Sequence, residues 1–431
     1  MDRVVNALNR RGFLKTATGA AWFGTTVFAA DDSARKERER RISGLLYGTA
    51  FGDAFGGPIE FQDPDQVQKL PTPPRRWREG YVLDRQERTA LADRIRLRAY
   101  DPLRPVPESY GQWNPHAAPG TITDDTRHKL ILLYALHQAD RRNRWPVGAR
   151  EMAQAFLDWP AEKAVSGNPG YGPLAADWLE EWQLAARWIL GERDARRARP
   201  PERMWQGLPT CCGQMTSLPL AALFPGRPEE AYLAAWRIGF FDNGWGRDLN
   251  AATVAGLSVA LTLTPDPSAP REAWNRILAA MRQCDPFGYS KIRWTQRAVD
   301  RWLDYALRTA RESGGQPARM FAAWDTEFRD HAKWEAQIPF VVMIGCLSLC
   351  EFDPLASLQL SQEWGWDTDS YAQLLGAFVG ALYGPAIFRR EWLEAVESGL
   401  NRDFGFALRS EAEFLAGLAE DSHPRRQLIG E

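Results

Sequence analysis

The stretch GLLYGTAFGDAFGGPIEF, Gly44 to Phe61, places Gly44, Gly48, Gly52 and Gly56 at every fourth position. Residues four apart share one helix face. Each Gly that replaces Ala in a helix interior costs about 1 kcal/mol. Four in register therefore imply a use for a face without side chains, which is to let another helix backbone come close. A second ribbon, GAFVGALYG, repeats the spacing at Gly376, Gly380 and Gly384. Small-residue faces also join helices in membranes. Here Asp53 interrupts the first ribbon and Pro385 follows the second, which argues against spanning helices. The expectation is two glycine faces at the centre of a crowded bundle, each admitting a helix, not necessarily each other. Pro58 closes the first of these helices.

The rest of the chain reads as helical. KLILLYALHQA, EEWQLAARWILG, NAATVAGLSVALTL, RAVDRWLDYALRTA and FVVMIGCLSLC carry apolar residues at helical spacing, and Pro and Gly clusters separate them. No alternating strand pattern and no internal repeat stands out. The fold expected is all-α, a compact orthogonal multi-helix bundle forming a single domain over residues 40–420. Residues 62–118, rich in Pro, Arg and aromatics, read as an ordered insertion with little regular structure. The 431 residues are 45% hydrophobic and 25% charged, which suffices for a large core. A net charge of −2 gives no basic surface for nucleic acid. The 19 Trp residues fit a heavily packed core more readily than stacking surfaces.

The N-terminus stands apart. Arg10 and Arg11 precede Phe13, Leu14 and Lys15, and a modestly apolar stretch from Ala17 leads to small residues near Ala29. This layout, residues 1–29, is that of a twin-arginine-type signal peptide, too weakly apolar to span a membrane. It predicts passage through the twin-arginine export machinery, cleavage near Ala29, and a periplasmic or extracellular location with no membrane anchor left after removal. The competing reading is a basic amphipathic helix. Five cysteines make no disulfide framework, and without a CxxC pair no thiolate zinc site. Cys346 and Cys350 read as core. Pairing of Cys211 or Cys212 with Cys284 is left open by the sequence.

Three acidic clusters lie beside the glycine helices. Asp53 and Glu60 flank the Gly56-Gly57-Pro58 turn. Thr123, Asp124, Asp125 and Thr126 open one helix; Asp367, Thr368, Asp369 and Ser370 open the second glycine helix. Helix capping accounts for Thr and Asp at such positions, but one Thr-Asp pair satisfies it. Adjacent carboxylates repel unless a cation lies between them, and carboxylate and hydroxyl oxygens suit Mg²⁺, Mn²⁺ or Ca²⁺. On residue chemistry alone, capping and metal binding both stand.

Taken in order, the segments are more specific. GLLYGTAFGDAFGGPIEF, GTITDDTRHKL and WDTDSYAQLLGAFVGALYG resemble the ADP-ribosylglycohydrolase family, that of dinitrogenase reductase-activating glycohydrolase. The first is similar to the family's G-x-x-x-G-D-A-x-G-x-P-x-E opening and the last to its G-G-D-T-D-[TS] stretch. TSLPLAALFPGRPEEAYLAA is similar to its P-L-x-x-L-x-P-G segment. The resemblance runs over residues 40–390, thins over 62–118 and 265–345, and is absent beyond. It implies an all-α domain holding two divalent ions, Mg²⁺ or Mn²⁺, in a central cleft, and hydrolysis at C1 of a ribosyl group in an ADP-ribosylated or nucleoside-like small molecule. By motif, Thr123, Asp124, Asp125, Asp367, Asp369 and Ser370 would be ligands. Glu60, Asp125 and Asp367 would be catalytic, with Glu60 also near substrate, and Asp53 would support the ligands.

This chain also departs from the pattern. Trp366 stands where the family has the second Gly of G-G-D, and Thr216 replaces the Arg of its N-G-x-x-M-R stretch, leaving Gly213 and Met215 as substrate contacts. Losing that Arg weakens the grip on a pyrophosphate. Tyr171, in NPGYGP, is either a stacking residue of a substrate loop or part of a simple turn. His128 and His137 read as core or helix-surface residues. These departures keep a second reading in play, a catalytically inactive metal- or ligand-binding protein of the same fold. A metal-dependent phosphoesterase ranks last, for want of a phosphate-gripping loop.

Overall fold

The computed structural model describes residues 20–70, 72–99, 118–166, 179–266, 268–420 and 428–430. Among these there is no β-strand, only isolated bridges at Val147–Ile429 and Thr210–Glu335. The fold is all-α, as expected. No described helix is long and apolar enough to cross a membrane. The twin-arginine pair and Tyr171 lie outside the described residues.

The first helix, Ala20–Gly56, ends in a short 3-10 turn at Gly57–Ile59 in which Pro58 removes the next amide donor. Its glycine face meets the helix Thr368–Tyr383 directly. A methyl group at Gly44, Gly48, Gly52 or Gly56 would overlap the backbone of Gly380, Gly376, Ala372 or Thr368, respectively. The pairing runs backwards along one helix as it runs forwards along the other, so the two are antiparallel. The ribbons therefore face each other, a relation left open by their spacing. The loss of helix propensity is offset by close backbone contact along the whole seam.

The rest of the bundle wraps this pair. Trp159, Trp274 and Trp324 are fully buried, and one continuous apolar cluster reaches from Ile42 to Ile429. Prolines open the helices Pro228–Ile238, Pro270–Gln283, Pro317–Glu327 and Pro354–Gln362, where their missing amide costs nothing. In the insertion, the described part holds two short helices, Pro64–Val67 and Arg85–Ala92, and otherwise irregular chain. It is tied to the bundle by Trp77 Nε1, which donates to Glu363 Oε2 at 2.6 Å, and by Leu83 N, which donates to Gly315 O at 2.8 Å. The five cysteines are unpaired and buried, so Cys211 and Cys212 make no disulfide with Cys284, and Cys346 and Cys350 lie in the core.

Candidate metal centre

The antiparallel glycine seam brings the end of the first helix against the start of the Thr368 helix. Thr368 Oγ1 donates to Gly56 O at 3.0 Å. Three residues on, Glu60 reaches the Asp367–Asp369 turn. The Asp124–Arg141 helix starts at the same place. Its N-cap is Thr123, whose hydroxyl accepts the Asp125 amide. Asp53, fully buried one turn back on the first helix, accepts the amides of Thr123 and Thr126, both at 2.8 Å. It thus holds that helix start in place, the supporting role expected of it.

Five buried carboxylates converge here. One oxygen each from Glu60, Asp367 and Asp369 lies within 4.8 Å of the others, and so does one each from Asp124, Asp125 and Asp369. Asp369 belongs to both groups. Burial, then repulsion from the neighbouring carboxylates, raises the pKa of Glu60, Asp125, Asp367 and Asp369 well above the usual carboxylate range. Asp125 Oδ1 and Asp367 Oδ2 are buried without a hydrogen-bond partner among the described residues. Capping leaves both facts unexplained, since a cap uses its oxygens on amides. Divalent cations held by these residues would satisfy the orphaned oxygens and offset the repulsion, and an all-oxygen donor set suits hard divalent ions. The residues present fit the group.

The two hydroxyls expected among the ligands are engaged with carboxylates. Thr123 Oγ1 donates to Asp369 Oδ2 at 2.8 Å and Ser370 Oγ to Asp125 Oδ2 at 3.1 Å. Each ties one acidic turn to the other. Glu60, expected by motif to serve catalysis and substrate, stands within one of the two carboxylate groups that could hold a metal ion.

Two neighbours escaped the sequence reading. Lys129 is buried, its Nζ donates to the Asp125 carbonyl at 2.8 Å, and burial lowers its pKa to about 8 against the attraction of Asp125 and Asp53. Its place four residues after Asp125 was the available signal. The Cys211 thiol lies 3.9 Å from Ser370 Oγ, which carries the Cys212–Thr216 helix to the edge of the site. In that helix Gly213 and Met215 are buried, and the Gly213 amide donates to Asp242 Oδ1 at 2.8 Å. Thr216 is fully buried, with its hydroxyl on the Cys212 carbonyl, so no cation stands there. His128 is a core residue. Its Nδ1 lies 2.9 Å from the Asp124 carbonyl, its ring packs on Trp182, and burial lowers its pKa to about 4, leaving it neutral. His137 pairs with Glu411 at 2.8 Å.

The sequence model of the ADP-ribosylglycohydrolase family matches residues 34–427. The chain belongs to the ADP-ribosylglycohydrolase family. The match continues past residue 390, where the motif resemblance stopped; the helices Arg390–Phe404 and Leu408–Glu420 are thus part of the family domain. ADP-ribosylglycohydrolases are glycosyl hydrolases, and the chain is an enzyme of that kind. No curated protein matches it significantly.

Proposed function

We propose that this ADP-ribosylglycohydrolase is an exported hydrolase that uses two divalent ions, Mg²⁺ or Mn²⁺, to cleave the glycosidic bond at C1 of a ribosyl group in an ADP-ribosylated or nucleoside-like substrate. The observation that carries the reading is the pair of carboxylate groups sharing Asp369, with buried oxygens left over on Asp125 and Asp367. Asp124, Asp125 and Asp369 would hold one ion, and Glu60, Asp367 and Asp369 the other. When bound, the ions would orient ribose hydroxyls and lower the pKa of water.

The side chains supply the rest. Glycosidic cleavage passes through an oxocarbenium-like transition state, and the negative field of Glu60, Asp125 and Asp367 favours the positive charge that grows at C1 and the ring oxygen. Glu60 and Asp125, one in each of the two carboxylate groups, would be placed to accept the proton of the attacking water. Asp53, Thr123 and Ser370 keep these groups oriented. Export through the twin-arginine machinery rests on Arg10, Arg11 and the segment that follows them; cleavage near Ala29 would leave the whole glycine seam intact.

The test is a panel of ADP-ribosyl-arginine, ADP-ribosyl-serine, ADP-ribose polymer and free nucleosides, each with Mg²⁺ or Mn²⁺, scored for released ribosyl product. Metal-dependent release from at least one class is expected. Divalent binding without release from any would favour the ligand-binding reading instead. Detection of the N-terminus intact on exported protein would contradict cleavage near Ala29.

A further inference from the structure

Beside the metal centre lies a cavity of about 570 Å³, within the range of small-molecule sites. Two of its wall residues, Phe61 and Trp366, are the chain neighbours of Glu60 and Asp367. Both are bulky aromatics in left-handed backbone, Phe61 at φ +46° and Trp366 at φ +70°. Such conformations cost free energy in non-Gly residues and concentrate at functional sites. They are locked to each other, since Phe61 N donates to Trp366 O at 2.8 Å. Trp366 is nonetheless 46% exposed, so core packing does not explain the choice of a large ring there.

The remaining wall is as organised. Trp77 Nε1 donates to Glu363 and Trp364 Nε1 to Asp325 at 3.0 Å, which fixes both indoles through their only polar group. The charged groups of the lining have partners: Arg75 pairs with Glu87 and Arg76 with Asp65, while Glu363 and Asp325 accept the two indole N–H groups. Gln362 lines the cavity, is 1% exposed, and its Oε1 has no hydrogen-bond partner among the described residues. Its Nε2 is spent on the Thr368 carbonyl of the metal turn at 2.8 Å.

We propose that this cavity receives the leaving group of the hydrolase and selects a planar nitrogen heterocycle, so that the preferred substrates are N-ribosides. The aromatic walls offer stacking, as Lys333 Nζ, 5.3 Å from the Trp366 ring centroid, already uses one of them; the two arginines of the lining are paired with carboxylates and so offer no ready site for an acidic group; and Gln362 Oε1 offers one acceptor for a ring N–H. The C1–N bond breaks with its electron pair passing to the ring nitrogen, and the water oxygen bonds to C1. The two water hydrogens end on the new C1 hydroxyl and on the departing nitrogen. The inference rests on the ribosyl hydrolase reading for its chemistry, but the binding of the heterocycle does not need turnover.

The experiment measures binding of free adenine to the full chain by calorimetry, and kcat/KM for adenosine against methyl riboside with Mn²⁺. Variants are Trp366→Gly and Trp366→Phe. Glycine suits φ +70°, so the first variant loses the ring without straining the fold. Expected are one adenine per chain in the wild type, at least tenfold weaker binding in Trp366→Gly, and most of the affinity kept in Trp366→Phe. The adenosine-to-methyl-riboside ratio of kcat/KM should fall at least tenfold in Trp366→Gly. Adenine binding that Trp366→Gly leaves unchanged, or no adenine binding in the wild type, overturns the inference even if ADP-ribosyl compounds are hydrolysed. Trp366-dependent adenine binding with no riboside turned over supports the pocket and counts against the ribosyl hydrolase reading alone.

Discussion

Gly48 and Gly376 meet back to back: a methyl group on either would overlap the carbonyl oxygen of the other. No side chain stands between the two helices at that level, and the partner atoms are backbone, which cannot swing aside. The seam sets the separation of Glu60 from Asp367 and Asp369, because each carboxylate extends from one end of it. Gly48→Leu should therefore cost about 3 kcal/mol or more, the upper range for overpacking, and should weaken divalent binding in the fraction that remains folded. Denaturant melts and calorimetry check both. A variant that keeps its stability but loses metal, or keeps both, would contradict this coupling.

Asp369 is the shared member of both carboxylate groups. Asp369→Asn should weaken Mn²⁺ binding at both positions by at least a hundredfold, whereas Asp124→Asn should affect one position more than the other. The sign of the stability change should depend on metal. In chelator the variant should melt higher than the wild type, because one of several mutually repelling buried carboxylates is gone. With Mn²⁺ in excess the order should reverse, since ligand binding stabilises only the chain that binds it. Thermal melts with and without EDTA read this directly.

What was legible before the structure was what is local in sequence. The glycine periodicity, the Thr-Asp-Asp and Asp-Thr-Asp-Ser helix starts and the all-α pattern each occupy a few consecutive turns. What was not legible depends on distant pairs. Asp53 reaches the amides of Thr123 and Thr126 about 70 residues on, Trp77 is tied to Glu363 across the bundle, and the facing of the two glycine ribbons spans more than 300 residues. The left-handed backbone of Phe61 and Trp366 was hidden for another reason: neither is Gly or Asn, so the residue types give no sign of it. Glu60 was recognised, but its place among the ligand groups follows only from the seam.

Asp242 lies outside the metal centre, buried, with its Oδ1 accepting the Gly213 amide and Asn250 Nδ2, both at 2.8 Å. Burial outweighs these bonds and raises its pKa to about 7. The folded chain thus holds this proton more tightly than the unfolded chain, whose Asp titrates near 4. Between pH 4 and 7 the folded state carries more protons, so stability falls as pH rises through that window and levels off above it. The contribution is about 4 kcal/mol across the window at most. Asp242→Asn should flatten it, so the difference between variant and wild type in denaturant midpoint should favour the variant more at pH 8 than at pH 5. A difference that does not change with pH would rule out this titration.

The Arg297–Asp248 pair offers a control that shares no residue with the carboxylate cluster. Arg297 Nε and Nη2 donate to the two oxygens of Asp248 at 2.9 and 2.7 Å, and the guanidinium also reaches the carbonyls of Arg282 and Cys284. Tyr232 donates its hydroxyl to the same carboxylate at 2.7 Å. The Arg297 side chain is fully buried, so removing it leaves Asp248 charged in a poorly solvated place. Arg297→Met should cost about 3–5 kcal/mol, and the double replacement Arg297→Met with Asp248→Leu should recover much of that, because it is the orphaned charge and not the lost attraction that dominates. Mn²⁺ affinity measured well below the melting temperature should stay within twofold of the wild type in both. A single variant costing under about 1 kcal/mol, or a double variant no better than the single, would show that the pair does not carry the desolvation cost its burial implies.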